Sequence, residues 1–229
     1  GWDNLSLRQK EYAYHLSEAA KLGRDITWDQ YCKWNLPIRH VVEDILNEYE
    51  GDRECADFQN FTVYAKRLFF ANGIHHHYSE DKFFPECPKE YFQSLMEAVG
   101  DGEQATELLE VIYSPDIYPQ RRSTSKTGDI VELSAVNFYD GVTREEVDKY
   151  YNSMMDPNDK TPISYGLNTK VVKEDGKVVE KPWKVGGIYG PALEKICAEL
   201  EKAAAVAETD LQKEAIGKLV EYYRTGDLK

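Results

Sequence analysis

The chain has 229 residues, of which 41% are hydrophobic, 12% aromatic and 30% charged. This length suffices for one large domain or two small ones with a buried core, and the aromatic content excludes intrinsic disorder. No stretch approaches the roughly 20 apolar residues of a membrane span, and the first residues lack a signal-peptide pattern, so we expect no membrane partner.

The charge balance is acidic, with 41 Asp and Glu against 28 Lys and Arg and a formal net charge of −13. Such a chain repels phosphate backbones, and its one basic run, residues 121–126, holds only three cations in a polar loop. We therefore expect no nucleic-acid partner. The four cysteines form no CxxC pair and are expected to be reduced, small core residues.

Hydrophobic periodicity predicts helices through the first half of the chain. They cover residues 5–22, 38–49, 58–71, 88–99 and 105–112. A capping-box pattern at Thr27 and Gln30 predicts a further helix that starts at Thr27 and is interrupted by Pro37. Asn72-Gly73 is typical of a helix end, and Pro88 of a helix start.

The second half of the chain mixes elements. Residues 120–129 read as a loop and a possible sub-boundary, and residues 130–139 are either a short strand or an irregular packed segment. Thr143 and Thr209 open helices with capping boxes, and Asp175-Gly176 forms the turn of a hairpin. The sequence therefore predicts a mainly α fold, of α+β class, with several helices and a small β-hairpin or sheet element.

Three consecutive imidazoles, His75, His76 and His77, are the first candidates for chemistry. In an extended segment only His75 and His77 share a face, and a third ligand such as Glu80 would have to fold back. A small metal-binding protein that uses His75 and His77 is therefore one hypothesis. The other is that these rings make polar contacts or line a cleft.

Motifs for self-contained catalysis are absent from the sequence. It contains no His-Glu pair, and therefore no H-E-x-x-H, and neither a G-x-S-x-G elbow nor a P-loop. Adjacent carboxylates are common, but 41 acidic residues produce such pairs by chance on solvated helix faces. The residues alone indicate no self-contained catalytic constellation.

Five separated stretches carry a family resemblance. The first, residues 69–85, has His75-His76-His77-Tyr78 at its centre. The others are residues 23–30, 164–168, 183–189 and 219–229. Taken in their order along the chain, these stretches resemble the dipeptidyl peptidase III family of zinc exopeptidases in its bacterial form. The likeness spans nearly the whole chain.

The resemblance implies a place within a larger enzyme. Members of the family are two-lobed hydrolases, metallopeptidases that release dipeptides from peptide N-termini in proteolysis, and their zinc lies on an H-E-x-x-G-H helix plus a downstream glutamate. This sequence lacks those groups. The resemblance therefore implies that residues 1–229 are an N-terminal, mostly lower-lobe fragment that is inactive alone, whose zinc ligands and catalytic half lie elsewhere in the polypeptide.

Site residues and partners follow from the same resemblance. An aromatic at the position of Tyr78 lines the substrate cleft in the family, and His77 and His76 share its motif, so these three are expected to bind peptide substrates. Asp81, Lys82 and Phe83 are expected to anchor the loop. The other partners are the remaining catalytic half and, through open hairpin edges, a second fragment in a dimer.

The alternatives stay open at this stage. A stand-alone helical binding or interaction module would have the same sequence features without the catalytic half. The cytoplasm is the favoured compartment. The actual compartment stays unknown because an upstream export signal could have been removed.

Overall fold

A computed structural model describes residues 1–229 as nine α-helices, two short 3-10 turns and a small sheet. The helices are α1 Leu7–Leu22, α2 Arg24–Tyr31, α3 Asn35–Glu48, α4 Ala56–Ala71, α5 Lys89–Ala98, α6 Ala105–Tyr113, α7 Arg144–Met154, α8 Gly190–Ala205 and α9 Asp210–Thr225. The strands are β1 Tyr139–Asp140, β2 Thr169–Glu174 and β3 Lys177–Pro182. The predicted mainly α class with a small β element is confirmed.

The chain divides into two compact units. One comprises residues 1–26 and 138–229, and the other comprises residues 27–137. No helix in the chain combines the length and the apolar character that crossing a membrane requires.

The discontinuous unit combines helices with the sheet. Its apolar core lies where α1, α8 and α9 pack together, around Ala19, Leu193, Ile196, Leu200 and Val220. The sheet order is β1-β2-β3, with β1 parallel and β3 antiparallel to β2. The β2–β3 turn is Asp175-Gly176, and both residues have positive φ, as a tight turn matched to strand twist requires.

The continuous unit has the larger core. Helix α4 contributes the buried face Phe58, Phe61, Ala65 and Leu68, which packs with α3, α5 and α6. The spacing of three and four residues places these side chains on one stripe of the helix. The same helix ends at Asn72, whose left-handed backbone closes it, as the Asn72-Gly73 pair predicts.

Three boundaries differ from the sequence-based expectations. The predicted helix start at Thr27 is wrong, because α2 begins at Arg24, directly after the right-handed helical backbone of Gly23, and Thr27 lies inside it. The interruption expected at Pro37 is also wrong, because α2 already ends at Tyr31 and Pro37 lies in the first turn of α3. The division into units falls after Asn137 and does not coincide with the sub-boundary expected near residues 120–129. Backbone hydrogen bonds of residues 120 and 121 tie that loop into the continuous unit instead. The assignment of the chain to a lower lobe stays a prediction.

Candidate functional site

The triple-histidine motif forms a short hairpin, residues 74–83, which we call the histidine hairpin. The backbone N–H of His76 donates to the carbonyl of Asp81 at 2.8 Å, and that of Phe83 donates to the carbonyl of Ile74 at 3.1 Å. Residues 76–80 form its tip. An antiparallel backbone bridge within the hairpin joins His75 to Lys82, and a second bridge joins Asp81 to Gln120. The returning strand of the hairpin therefore pairs both with the first strand and with the segment around Gln120.

A buried carboxamide fixes the point where the hairpin leaves α4. The side chain of Asn35 is fully buried; its Nδ2 donates to the carbonyl of Trp28 at 3.0 Å and its Oδ1 accepts from the N–H of Ile74 at 3.1 Å. Gly73 has a φ of +148°, and a Cβ there would lie 2.2 Å from Asn35 Nδ2. Only glycine allows this approach.

Lys82 anchors the returning strand of the hairpin. Its buried ammonium donates to the carbonyls of Val111, Ser114 and Ile117, where α6 ends. These carbonyls have no partner within the helix, and the helix dipole favours a cation there. Burial lowers the pKa of Lys82 to about 8, so the group remains mostly charged at neutral pH. The anchoring contacts expected of Lys82 are therefore present.

Glu80 closes the tip through two arginines. Its carboxylate contacts the guanidinium of Arg122 and lies 2.6 Å from that of Arg121, which also stacks over the ring of Tyr31 at 4.2 Å. Hydrogen bonding from Arg122, and then from Arg121, lowers the pKa of Glu80 to about 2. Both arginines of the basic run, residues 121–126, are therefore paired with the Glu80 carboxylate of the same chain.

His75 is a buried member of the hairpin. It is 2% exposed, and its Nε2 lies 2.9 Å from the carbonyl oxygen of Tyr118, to which it donates as a neutral ring. Its Nδ1 is buried without a protein partner. Burial lowers the pKa of His75 to about 4. The ring therefore acts as a neutral structural group at physiological pH.

The tip presents a layer of aromatic rings to solvent. His76 Nδ1 accepts from the backbone N–H groups of Tyr78 and Ser79, both at 3.2 Å, which stiffens the tip. The ring of His77 packs against those of Phe70, His76 and Tyr78, with centroids 4.3 to 4.8 Å away. Tyr78 is 85% exposed and Phe70 72% exposed.

Beside these rings lies a cavity of about 270 Å³. Arg67, Phe70 and Ala71 of α4 line one side of it, and His76, His77 and Phe83 of the hairpin line the other. We call it the α4 cavity. The surface is largely apolar, with the guanidinium of Arg67 as its single formal charge.

A second cavity, of about 460 Å³, lies in the discontinuous unit. Tyr150, Tyr165, Asn168 and Glu180 line it together with residues 225–228. The Glu180 carboxylate accepts from the hydroxyl of Tyr151 at 2.9 Å and from that of Thr169 at 2.8 Å. These bonds hold β2, β3 and α7 together, so the polar groups here stabilise the fold.

The structure brings the three predicted site residues to one surface. Tyr78, His77 and His76 are consecutive on the tip and in ring contact, whereas His75 points into the core. No three His, Cys, Asp or Glu side chains come close enough together to hold a metal ion. His75 and His77 therefore have different surroundings and do not form a shared ligand set.

Sequence reasoning missed three groups of the site. Asn35, Phe70 and Arg121 contact hairpin residues that lie 7 to 41 positions away along the chain, and periodicity gave no reason to connect them. Of the three, only Phe70 could have been found from the sequence, because it is an apolar residue of α4 that lies off the buried stripe of the helix.

Comparison with known proteins places this geometry in a larger context. No family model matches the chain. A curated human protein is 24% identical over 267 aligned residues, which cover 98% of this chain. That protein is dipeptidyl peptidase 3. The resemblance predicted from the five sequence stretches is confirmed.

Solved structures of dipeptidyl peptidase III share the fold. The enzyme from Caldithrix abyssi matches with a TM-score of 0.59 and 19% identity over 97% of this chain. The enzyme from Corallococcus sp. strain EGB matches with a TM-score of 0.60 and 16% identity over 99% of this chain. The chain covers 36% of the human relative and 32% of each solved structure, so it resembles about a third of a dipeptidyl peptidase III.

The first prediction concerns acid stability. Because the pKa of His75 falls from 6.5 to about 4 on folding, the unfolded state binds the proton more readily, and the stabilisation present above pH 6.5 is lost as the pH falls toward 4. We expect a loss on the order of 3 kcal/mol by pH 4. Urea unfolding at pH 6.5 and pH 5, where carboxylates still contribute little, measures the slope.

The matched variants for this test are His75→Gln and His40→Gln. The first retains an amide donor for the Tyr118 carbonyl without a titrating ring, so its slope should be shallower. The second removes an exposed imidazole and should keep the wild-type slope. Equal slopes for wild type and His75→Gln contradict the prediction.

The second prediction concerns the rigidity of the tip. His76→Ala removes the acceptor of the Tyr78 and Ser79 N–H groups, so their amide hydrogen exchange, measured by NMR, should accelerate about fivefold. Asn carries an acceptor oxygen suited to the same turn, so His76→Asn should keep the wild-type rates. Unchanged exchange in His76→Ala would show that the imidazole does not hold the tip.

Proposed function

We propose that this chain is a substrate-cleft and scaffold segment of a zinc-dependent dipeptidyl peptidase, an enzyme that releases dipeptides from peptide N-termini. The observation that carries the proposal is the 85% exposed ring of Tyr78 on an otherwise anchored hairpin. The likeness to dipeptidyl peptidase III supports the reaction class. Tyr78 contacts the peptide, with His77 and His76 beside it.

A fixed aromatic ring suits this role physically. A phenol offers an apolar face to a substrate side chain and a hydroxyl to its backbone, and it has few rotatable bonds to immobilise. The tip is held by the Glu80–Arg121 pair, the Lys82 anchor and the Asn35 carboxamide. Pre-organisation of this kind lowers the entropy cost of binding, so the segment contributes orientation of the peptide.

Zinc does not fit the residues of this chain. No suitable group of three ligands exists, and the Nε2 of His75 already donates to the Tyr118 carbonyl. The sequence also lacks a His-Glu pair. Zinc ligands and the general base of the proposed enzyme are therefore assigned outside residues 1–229, and no catalytic step is assigned to this chain.

The proposal predicts that peptide binding depends on Tyr78. Tyr78→Ala should weaken binding of a labelled tetrapeptide to the chain about tenfold, because a large aromatic contact is lost. Fluorescence anisotropy measures the affinity. Tyr14→Ala is the matched control, since Tyr14 is also an exposed tyrosine but lies on α1 in the other unit. Equal losses in the two variants, or none in either, contradict the assignment of Tyr78.

A separate prediction concerns activity. The purified chain should bind no stoichiometric zinc and should not release the chromophore from dipeptidyl arylamides, since it carries none of the groups that activate water. Metal analysis and a continuous absorbance assay check this. Hydrolysis that a chelator abolishes and zinc restores would overturn the scaffold role.

A further inference from the structure

From the geometry of the α4 cavity we infer a binding pocket for a bulky apolar side chain that lies next to a carboxylate. The inference deepens the proposed function, on which it rests, by naming the class of peptide. Its occupant is a short peptide with an aromatic or large aliphatic residue, followed by a carboxylate from an acidic side chain or from the C-terminus.

The size and lining of the cavity select the apolar group. An apolar cavity of roughly 150 Å³ accommodates a benzene ring, and the α4 cavity has about 270 Å³. Ala71 and Phe83 are its less exposed lining residues, and the ring of Phe83 is fixed by its edge contact with the buried Tyr64 at 5.6 Å. The pocket is thus bounded by groups that the core holds in place.

Exposure indicates that the pocket is built for a partner. Phe70 leaves 72% of its surface exposed at the mouth of the cavity, although it is one turn beyond Arg67 on the same face of α4. Apart from its ring contact with His77, folding buries little of this side chain. The rings of Phe70 and His77 are in edge contact, and a ligand side chain in the cavity would cover the exposed surface of both.

Charge at the rim selects the carboxylate. The guanidinium of Arg67 is 51% exposed, and its nearest acidic group, the exposed carboxylate of Glu86, is 3.8 Å away, too far for a good hydrogen bond. Arginine has a planar pair of donors that matches a carboxylate. A ligand carboxylate can therefore take both donors without breaking an established bond.

The experiment uses blocked peptides that cannot be processed from the N-terminus. The probes are acetyl-Gly-Gly-Phe with a free carboxylate, its C-terminal amide, acetyl-Gly-Phe-Asp-amide and acetyl-Gly-Gly-Ala with a free carboxylate. Titrations followed by NMR give the affinities and identify the amides that shift. Peptides with Phe should shift residues 71, 77 and 83.

The expected order of affinities is specific. Phe→Ala in the peptide should weaken binding at least about tenfold. Amidation should weaken it about two- to fivefold, the range of an exposed ion pair. If the Asp-amide peptide binds more tightly than the free carboxylate, a side chain serves as the acid, and the reverse order assigns the C-terminus. Equal affinities mean that the pocket accepts a carboxylate from either source. Equal affinities of the Phe and Ala peptides would refute the pocket.

Variants of the chain complete the test. Arg67→Gln should abolish the preference for the carboxylate over the amide, whereas Arg24→Gln, which alters an exposed arginine also 3.8 Å from a carboxylate, should retain it. Phe70→Ala should weaken every Phe peptide. A carboxylate preference that survives Arg67→Gln overturns the assignment of the rim.

The test separates this inference from the proposed function. If Tyr78→Ala weakens peptide binding while the Phe and Ala peptides bind equally, the pocket is wrong and the role of Tyr78 stands. If Phe70→Ala and Arg67→Gln act as expected while Tyr78→Ala has no effect, the pocket stands and the role of Tyr78 is wrong. If no peptide shifts any amide, both fail.

Discussion

The buried carboxamide of Asn35 is the constraint on which the candidate site depends. It joins the carbonyl at Trp28 in α2 to the N–H of Ile74, the first residue of the histidine hairpin. A buried polar side chain is costly unless its bonds are made, and here donor and acceptor are both satisfied. The carboxamide leaves no room for a Cβ at Gly73, so its two hydrogen bonds require glycine at that position.

From that starting point the hairpin is secured by charge. The Lys82 ammonium meets the carbonyls at the end of α6, and Glu80 meets Arg121 and Arg122. Hydrogen bonding from Arg122 has the larger effect on the pKa of Glu80, but solvent screens this exposed ion pair. The ion pair with the buried Arg121 therefore stabilises the hairpin more. Together they restrict the tip to one conformation while its rings stay in water.

Local sequence signals predicted most of the fold. The capping boxes at Thr143 and Thr209, the Asp175-Gly176 turn and the Asn72 helix end all act within a few residues, so they can be read directly from the sequence. The start of α2 could not, because α2 follows α1 directly through the helical backbone of Gly23, and Thr27 inside the helix cannot act as a cap. Residues 130–138 form turns and one isolated pairing, that of Ser134 with Gln120, and Tyr139 begins β1, whose partner is Val171 in β2. Partners in other parts of the chain decide this structure, and no local signal shows them.

The site was predictable only in part. The family resemblance indicated Tyr78, His77 and His76, and the structure places them on one surface. Asn35, Phe70 and Arg121 act through contacts across 7 to 41 residues of sequence, which no periodicity reveals. His75 faces the core, and the next residue faces solvent, as alternation along an extended segment requires. His77 does not return to the face of His75, because the chain turns at residues 77–79.

The way Lys82 is held has a practical consequence for following the protein in solution. Reagents that acylate amines require a neutral, accessible nitrogen, and this ammonium is enclosed by three carbonyls. Surface lysines would react at once, whereas this one reacts only in molecules where the hairpin has separated from α6. Its labelling rate, measured by mass spectrometry, therefore reports how often this region opens locally.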